Sequence, residues 1–148
     1  MKALLEMLNE ERKRLEAALK IFMYSYETCR VIGLKNQYTY EELDKFEALT
    51  GRFARLSDLL IQKIWRLIDQ IDLEDRGTIR DRIHRAEKKG LIDNAEVFVQ
   101  IRIVRNDITH EYLSEAFQEI FIKVLELSPP LIEAAQKAHQ YGERYGTS

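Results

Sequence analysis

The 148-residue chain has little of what would cross-link or divide it. Its one cysteine, Cys29, excludes an intrachain disulfide and a thiolate metal cage. The two prolines are adjacent at Pro129 and Pro130, and the six glycines form no flexible linker. These absences predict one domain over residues 1–148, with a tail that frays from about residue 141.

Long apolar runs and an excess of positive charge are also missing. No segment approaches the roughly 18 apolar residues of a membrane helix, and three glutamates interrupt the apolar N-terminal stretch. The net charge of −2 argues against binding nucleic acid by bulk attraction, so any such contact would be local. We expect a cytoplasmic protein without a membrane partner.

What the chain does contain is helical periodicity. Apolar residues recur every three or four positions over about residues 3–30 and 40–72, and again from Leu113. A capping box at 39–42 and a similar signal at 78–81 indicate helix starts, while Gly33 and Gly90 indicate helix ends. Ser128-Pro-Pro130 should kink the chain or restart it as a last helix. No sustained strand alternation is present, and the predicted fold class is an all-α antiparallel bundle of four long helices plus one or two short ones.

The three histidines offer no metal site. His84, His110 and His139 lie 26 and 29 residues apart, so no two of them have the i, i+4 spacing of the histidines in a metalloprotease helix. Glycine-rich phosphate and dinucleotide loops are absent as well. We therefore predict neither a metal nor a cofactor.

A short basic segment at residues 76–89 carries six lysines and arginines against two acidic residues. Arg82, Arg85 and Lys89 fall on one helical face, which makes them candidate RNA-binding residues. A solvated helix with salt bridges has the same pattern.

The most distinctive stretch is RNDITHEYL, from Arg105 to Leu113. On an unbroken helix Arg105 and His110 would point about 140° apart and could not grip one group. Their convergence requires a turn at Asn106 or Asp107, which the β-branched residues after Val99 favour.

Such a turn would create a site for a phosphate. Free backbone N–H groups and Arg105 would bind the anion, and His110 would transfer a proton near neutral pH. This chemistry suits RNA cleavage by the 2′-hydroxyl without a metal. The alternative is a surface pair of Arg105 with Asp107, beside a polar capping role for His110.

The stretch resembles the Arg-Asn-x-x-x-His-x-Tyr signature of the HEPN superfamily, in particular the HepT-like toxins and the related nucleotidyltransferase substrate-binding proteins. The order of long paired helices before the motif and an apolar helix after it is similar across nearly the whole chain. The resemblance implies a HEPN-type bundle that forms a homodimer, with the motifs of both copies facing one cleft.

The same resemblance implies roles for individual residues. Arg105 would bind the phosphate, Asn106 would hold the local structure and His110 would be the catalytic acid or base of an endoribonuclease that forms a 2′,3′-cyclic phosphate. Arg102, beside the motif, is a further candidate RNA contact, and tRNA is among the candidate targets. A minimal nucleotidyltransferase antitoxin would neutralise the toxin by attaching AMP to Tyr112.

Two subgroups remain open, because LSEAF after the tyrosine departs from the stretch common in HepT-like toxins, with Glu115 as a partial substitute for its acidic residue. The rival to the toxin is a non-catalytic binding subunit of a nucleotidyltransferase. A third interpretation is a structural helical dimer in which the motif is a polar interface.

Overall fold

The computed structural model describes residues 1–110 and 117–145, and within these it is helical and without strands. The helices are α1 (Lys2–Ile32), α2 (Tyr40–Asp58), α3 (Trp65–Ile71), α4 (Ile79–Lys88), α5 (Ala95–His110) and α6 (Phe117–Gly142). A π-helical segment, Leu59–Ile64, joins α2 directly to α3, and a 3-10 turn, Glu143–Tyr145, follows α6. The prediction of an all-α fold is confirmed, whereas the start predicted for the last long helix at Leu113 lies outside the described residues.

Local chemistry sets the start of α2 and the end of α1. Thr39 Oγ1 accepts from the Glu42 backbone N–H at 3.1 Å, and Glu42 Oε1 accepts from the Thr39 N–H at 2.9 Å, which completes a capping box. Gly33 ends α1 with a φ of +74°, a value that glycine adopts without a Cβ clash. The seven residues between Ile32 and Tyr40 return the chain so that α2 packs along α1.

The helix over residues 40–71 changes geometry in the middle. Buried Leu56, Leu60, Ile64 and Ile68 are four residues apart, a spacing that drifts around a regular α-helix. The wider turn of the π segment at Leu59–Ile64 absorbs this drift and keeps these side chains directed to the core.

The core lies between α1, α2, α5 and α6. Phe46 stacks on Phe121 with ring centroids 4.5 Å apart, which ties α2 to α6. Trp65 packs against Phe98 at 4.9 Å, which ties α3 to α5. Each element contributes one apolar stripe, as the periodicity predicts.

Helix α6 continues through the two prolines. Of the two predicted outcomes at Ser128-Pro-Pro130, the restart as a new helix is wrong, because a single helix spans Phe117–Gly142. The kink within that helix stays a prediction. Buried Leu131 and Ala135 after the prolines extend the apolar stripe of Ile120 and Val124, and this packing holds the helix together although proline cannot donate to the preceding turn.

The C-terminal segment packs against the bundle as far as Tyr145. The Tyr145 hydroxyl donates to Asp72 Oδ1 at 3.2 Å, and its ring lies 6.0 Å from that of Tyr141. The fraying predicted from about residue 141 stays a prediction, and Gly142 at the end of α6 is buried. Residues 146–148 lie outside the described residues.

The helices built from the described residues include none with both the length and the apolar content needed to cross a membrane.

Candidate functional site

The RNDITHEYL stretch does not contain the turn predicted at Asn106 or Asp107. Helix α5 runs without interruption from Ala95 to His110. The apolar stripe continues through Phe98, Ile101 and Val104, all buried, and only Ile103 of the β-branched run faces solvent. Tertiary packing therefore keeps this run helical, and the apparent loss of period comes from one exposed isoleucine.

The unbroken helix separates the two main candidate residues. Five residues of α-helix rotate His110 by about 140° relative to Arg105 and move it about 7.5 Å along the axis. Within one chain these side chains thus leave α5 on different sides. His110 itself is exposed at the end of the helix, and Tyr112, the predicted modification residue, lies outside the described residues.

Arg105 forms a two-pronged ion pair with Asp58 at the end of α2. Its Nε donates to Asp58 Oδ1 at 2.7 Å and its Nη2 donates to Asp58 Oδ2 at 2.8 Å. The hydrogen bonds to Asp58 raise the pKa of Arg105 above its ordinary value, an effect that exceeds the lowering by partial burial. Both side chains keep solvent access, with 27% of Arg105 and 34% of Asp58 exposed.

Asn106 is the second side chain that accepts a hydrogen bond from Arg105. Its Oδ1 accepts from Arg105 Nη1 at 3.3 Å, a long hydrogen bond between neighbours on the helix. The ion pair that Arg105 forms is with Asp58 and not with Asp107, the partner in the alternative interpretation of the sequence.

The basic face of α4 points inward to Asp69 instead of presenting three free cations. Asp69 is 2% exposed. Arg85 Nη2 lies 2.9 Å from Asp69 Oδ2, Lys89 Nζ lies 2.8 Å from Oδ1, and Arg82 Nε lies 3.8 Å from Oδ2. The shared face predicted from the spacing is present, and an RNA phosphate there would have to compete with a buried carboxylate.

Burial and charge act in opposite directions on this cluster. Burial lowers the pKa of Lys89, whereas its hydrogen bonds to Asp69 and Asp72 and the charges of these carboxylates raise it. Together the two carboxylates outweigh burial, and the pKa of Lys89 lies above its ordinary value. For Arg82 burial dominates and lowers the pKa. Arg82 Nη1 also donates to the Ile61 carbonyl at 3.0 Å, inside the π segment.

Arg102, the remaining candidate RNA contact, lies one turn before Asn106 on α5. Its Nη1 is buried and has no hydrogen-bond partner in the described part of the chain. A buried donor without a partner is costly, and this one lies on the same helix as the Arg105 pair.

Asp58 is the site residue that sequence reasoning missed. It lies 47 residues before Arg105 and belongs to no motif, and the chain offers no signal that joins the two positions. The described residues also hold no group of three or more His, Cys, Asp or Glu side chains with metal-binding geometry.

Fold and site together define an all-helical protein with a partly exposed arginine–aspartate pair and an exposed histidine farther along the same helix. No family model, no curated protein and no solved structure matches the chain.

Proposed function

We propose that this chain is a HepT-like HEPN toxin, a dimeric endoribonuclease that cleaves RNA without a metal. The observation that carries the proposal is the constellation on α5, where an oriented arginine, its Asn106 partner and an exposed His110 lie within six residues. The resemblance of the motif supplies the reaction.

The proposed chemistry uses these residues in separate roles. The 2′-oxygen attacks phosphorus as its proton passes to one His110 imidazole, and the bond to the 5′-oxygen breaks as that oxygen takes a proton from a second imidazole. Arg105 offsets negative charge that develops on the phosphoryl oxygens. The products are a 2′,3′-cyclic phosphate and a 5′-hydroxyl.

The geometry of α5 supports the proposal that a second copy of the chain completes the site. Because Arg105 and His110 leave one helix about 140° apart, one copy does not place both on the same phosphate. A two-fold axis beside α5 would bring an acid and a base from two copies of His110 into one cleft.

Cleavage of cellular RNA by purified protein tests the reaction. We expect His110→Ala and Arg105→Ala each to lower the rate by about a hundredfold or more, with the product ends identified by mass spectrometry. His84→Ala is the matched control, since His84 is exposed on α4 and lies outside the motif. Undiminished cleavage by His110→Ala protein contradicts the proposal.

Mixed dimers test the shared cleft. If each cleft needs both histidines, co-refolding wild-type chain with His110→Ala chain gives an activity that follows the square of the wild-type fraction. A linear decline would show that each copy acts alone.

The second candidate is a non-catalytic subunit that presents Tyr112 or a nucleotide to a nucleotidyltransferase. The Arg105–Asp58 pair favours this candidate, because Asp58 already neutralises the positive charge that Arg105 would need to bind a phosphate. It predicts no cleavage by unmodified wild-type protein. The mass of the intact protein after co-expression with a minimal nucleotidyltransferase tests the proposed partner. Mass increments of AMP that disappear in Tyr112→Phe support a nucleotidyltransferase partner under either candidate function.

A further inference from the structure

We infer that Asp58 is a positioning residue for a phosphate site at Arg105, where it fixes the direction of the guanidinium and weakens the binding of the anion. The inference rests on the proposed function for the identity of the ligand, an RNA phosphate. Its structural part, the control of Arg105 by Asp58, stands on the geometry alone.

The guanidinium of Arg105 keeps part of its hydrogen-bonding capacity while it is paired with Asp58. Of its five N–H groups, Asp58 accepts from two, on Nε and Nη2, and Asn106 accepts from one, on Nη1. One N–H on Nη1 and one on Nη2 remain without an acceptor among the described residues. A phosphate oxygen pair can use such N–H groups, so the arginine retains binding capacity while Asp58 holds it.

The backbone that carries the Asp58 carboxylate lies in a well-packed part of the bundle. Asp58 is the last residue of α2 and directly precedes the π segment, and its helix neighbours Ser57 and Leu56 are fully buried. A backbone fixed by this packing limits where the carboxylate can lie, and the two hydrogen bonds to Arg105 link the direction of the guanidinium to that carboxylate. π-helical segments often occur at functional sites.

The negative charge of Asp58 opposes the binding of an anion at Arg105. The pair is neutral as a unit, and both members are reached by solvent. A phosphate at the free edge of Arg105 would lie near the Asp58 carboxylate and be repelled by it. Asp58 should therefore weaken binding of RNA in the ground state while it improves the alignment of the arginine.

The variant Asp58→Asn separates these two effects. The amide keeps the size of the side chain but removes the charge and one acceptor, so the guanidinium loses its second anchor. We expect binding of a 2′-O-methyl oligonucleotide, which cannot be cleaved, to tighten about fivefold, the effect of removing one unit charge at about 4 Å in water.

The same variant should lower kcat on RNA by about tenfold or more through misalignment, while KM falls. Asp58→Glu, which keeps the charge, should recover part of kcat and none of the gain in binding. Asp93→Asn is the control, because it makes the same change of charge in the exposed pair with Lys137, away from Arg105. Binding by Asp58→Asn that equals that of Asp93→Asn, or is weaker, overturns the inference.

A readout independent of RNA distinguishes failure of the inference from failure of the proposed function. The ¹H–¹⁵N signal of Arg105 Nε, identified by its loss in Arg105→Lys, should exchange slowly with water in the wild type and fast in Asp58→Asn. An unchanged exchange rate overturns the positioning role. If the wild type neither binds nor cleaves RNA while this signal responds, the proposed function fails and the control of Arg105 by Asp58 stands.

Discussion

At the scale of single residues, Leu73 adopts a backbone conformation that suits glycine. Its φ is +62°, and 81% of its surface is exposed. The Glu74 N–H reaches back to the Asp69 carbonyl at 2.8 Å, so the turn that ends α3 requires this conformation. We expect Leu73→Gly to raise the free energy of unfolding by about 1 kcal/mol, measured by urea denaturation. Leu34→Gly, at an exposed leucine without a positive φ, should lower it instead.

Cys29 gives a pH dependence to stability. Burial raises the pKa of its thiol from an ordinary 9.0 to about 11, and Sγ donates to the Lys45 carbonyl. Because the folded state holds this proton more tightly than the unfolded chain, the contribution is complete below about pH 9 and is lost as pH rises toward 11. Urea unfolding of wild type and Cys29→Ala between these pH values should show the steeper loss in the wild type. Parallel curves would contradict this expectation.

At the scale of elements, α4 is held to α3 by charge. Asp69 is buried among Arg82, Arg85 and Lys89, each with less than a fifth of its side chain exposed. Asp69→Asn leaves these cations without their carboxylate, and we expect a loss of about 3 kcal/mol in the free energy of unfolding. Asp44→Asn, at an exposed position of α2 outside the cluster, serves as the control and should have little effect. A similar loss in both variants would contradict the role of the cluster.

Local signals predicted the elements better than they predicted the site. Capping boxes at Thr39 and Thr78 and the glycine stops at Gly33 and Gly90 depend on residues within one turn, and the structure confirms them. The course of α5 through Asn106, the continuity of α6 through its prolines and the pairing of Arg105 with Asp58 depend on contacts between distant segments. One-dimensional spacing carries no information about such contacts, and packing overrides the local preference for a break.

At the scale of the whole molecule, Arg12 connects α1 to the C-terminal turn of α6. This arginine of α1 is 5% exposed, and its Nε and Nη2 donate to the His139 carbonyl in the last turn of α6 at 3.1 and 2.8 Å. A cation at a helix C-terminus is favoured by the helix dipole. The guanidinium reaches this place across Gly142, where a Cβ would lie 2.4 Å from Arg12 Cδ and Nε.

Two glycine-to-alanine changes in helices should therefore have opposite signs. In α2, Gly51→Ala meets only Arg55 Nη2 at 3.8 Å, an ordinary contact, and should stabilise the protein by about 0.5–1 kcal/mol through helix propensity. In α6, Gly142→Ala has at most the same propensity gain, because Gly142 is the last residue of the helix, and the new Cβ must displace a buried, hydrogen-bonded arginine. We expect a net loss of about 1–2 kcal/mol. Urea denaturation of both variants measures the difference. A gain in the free energy of unfolding in both variants would mean that Arg12 moves away from Gly142 at little cost. The contact between α1 and the end of α6 would then contribute little to the stability of the bundle.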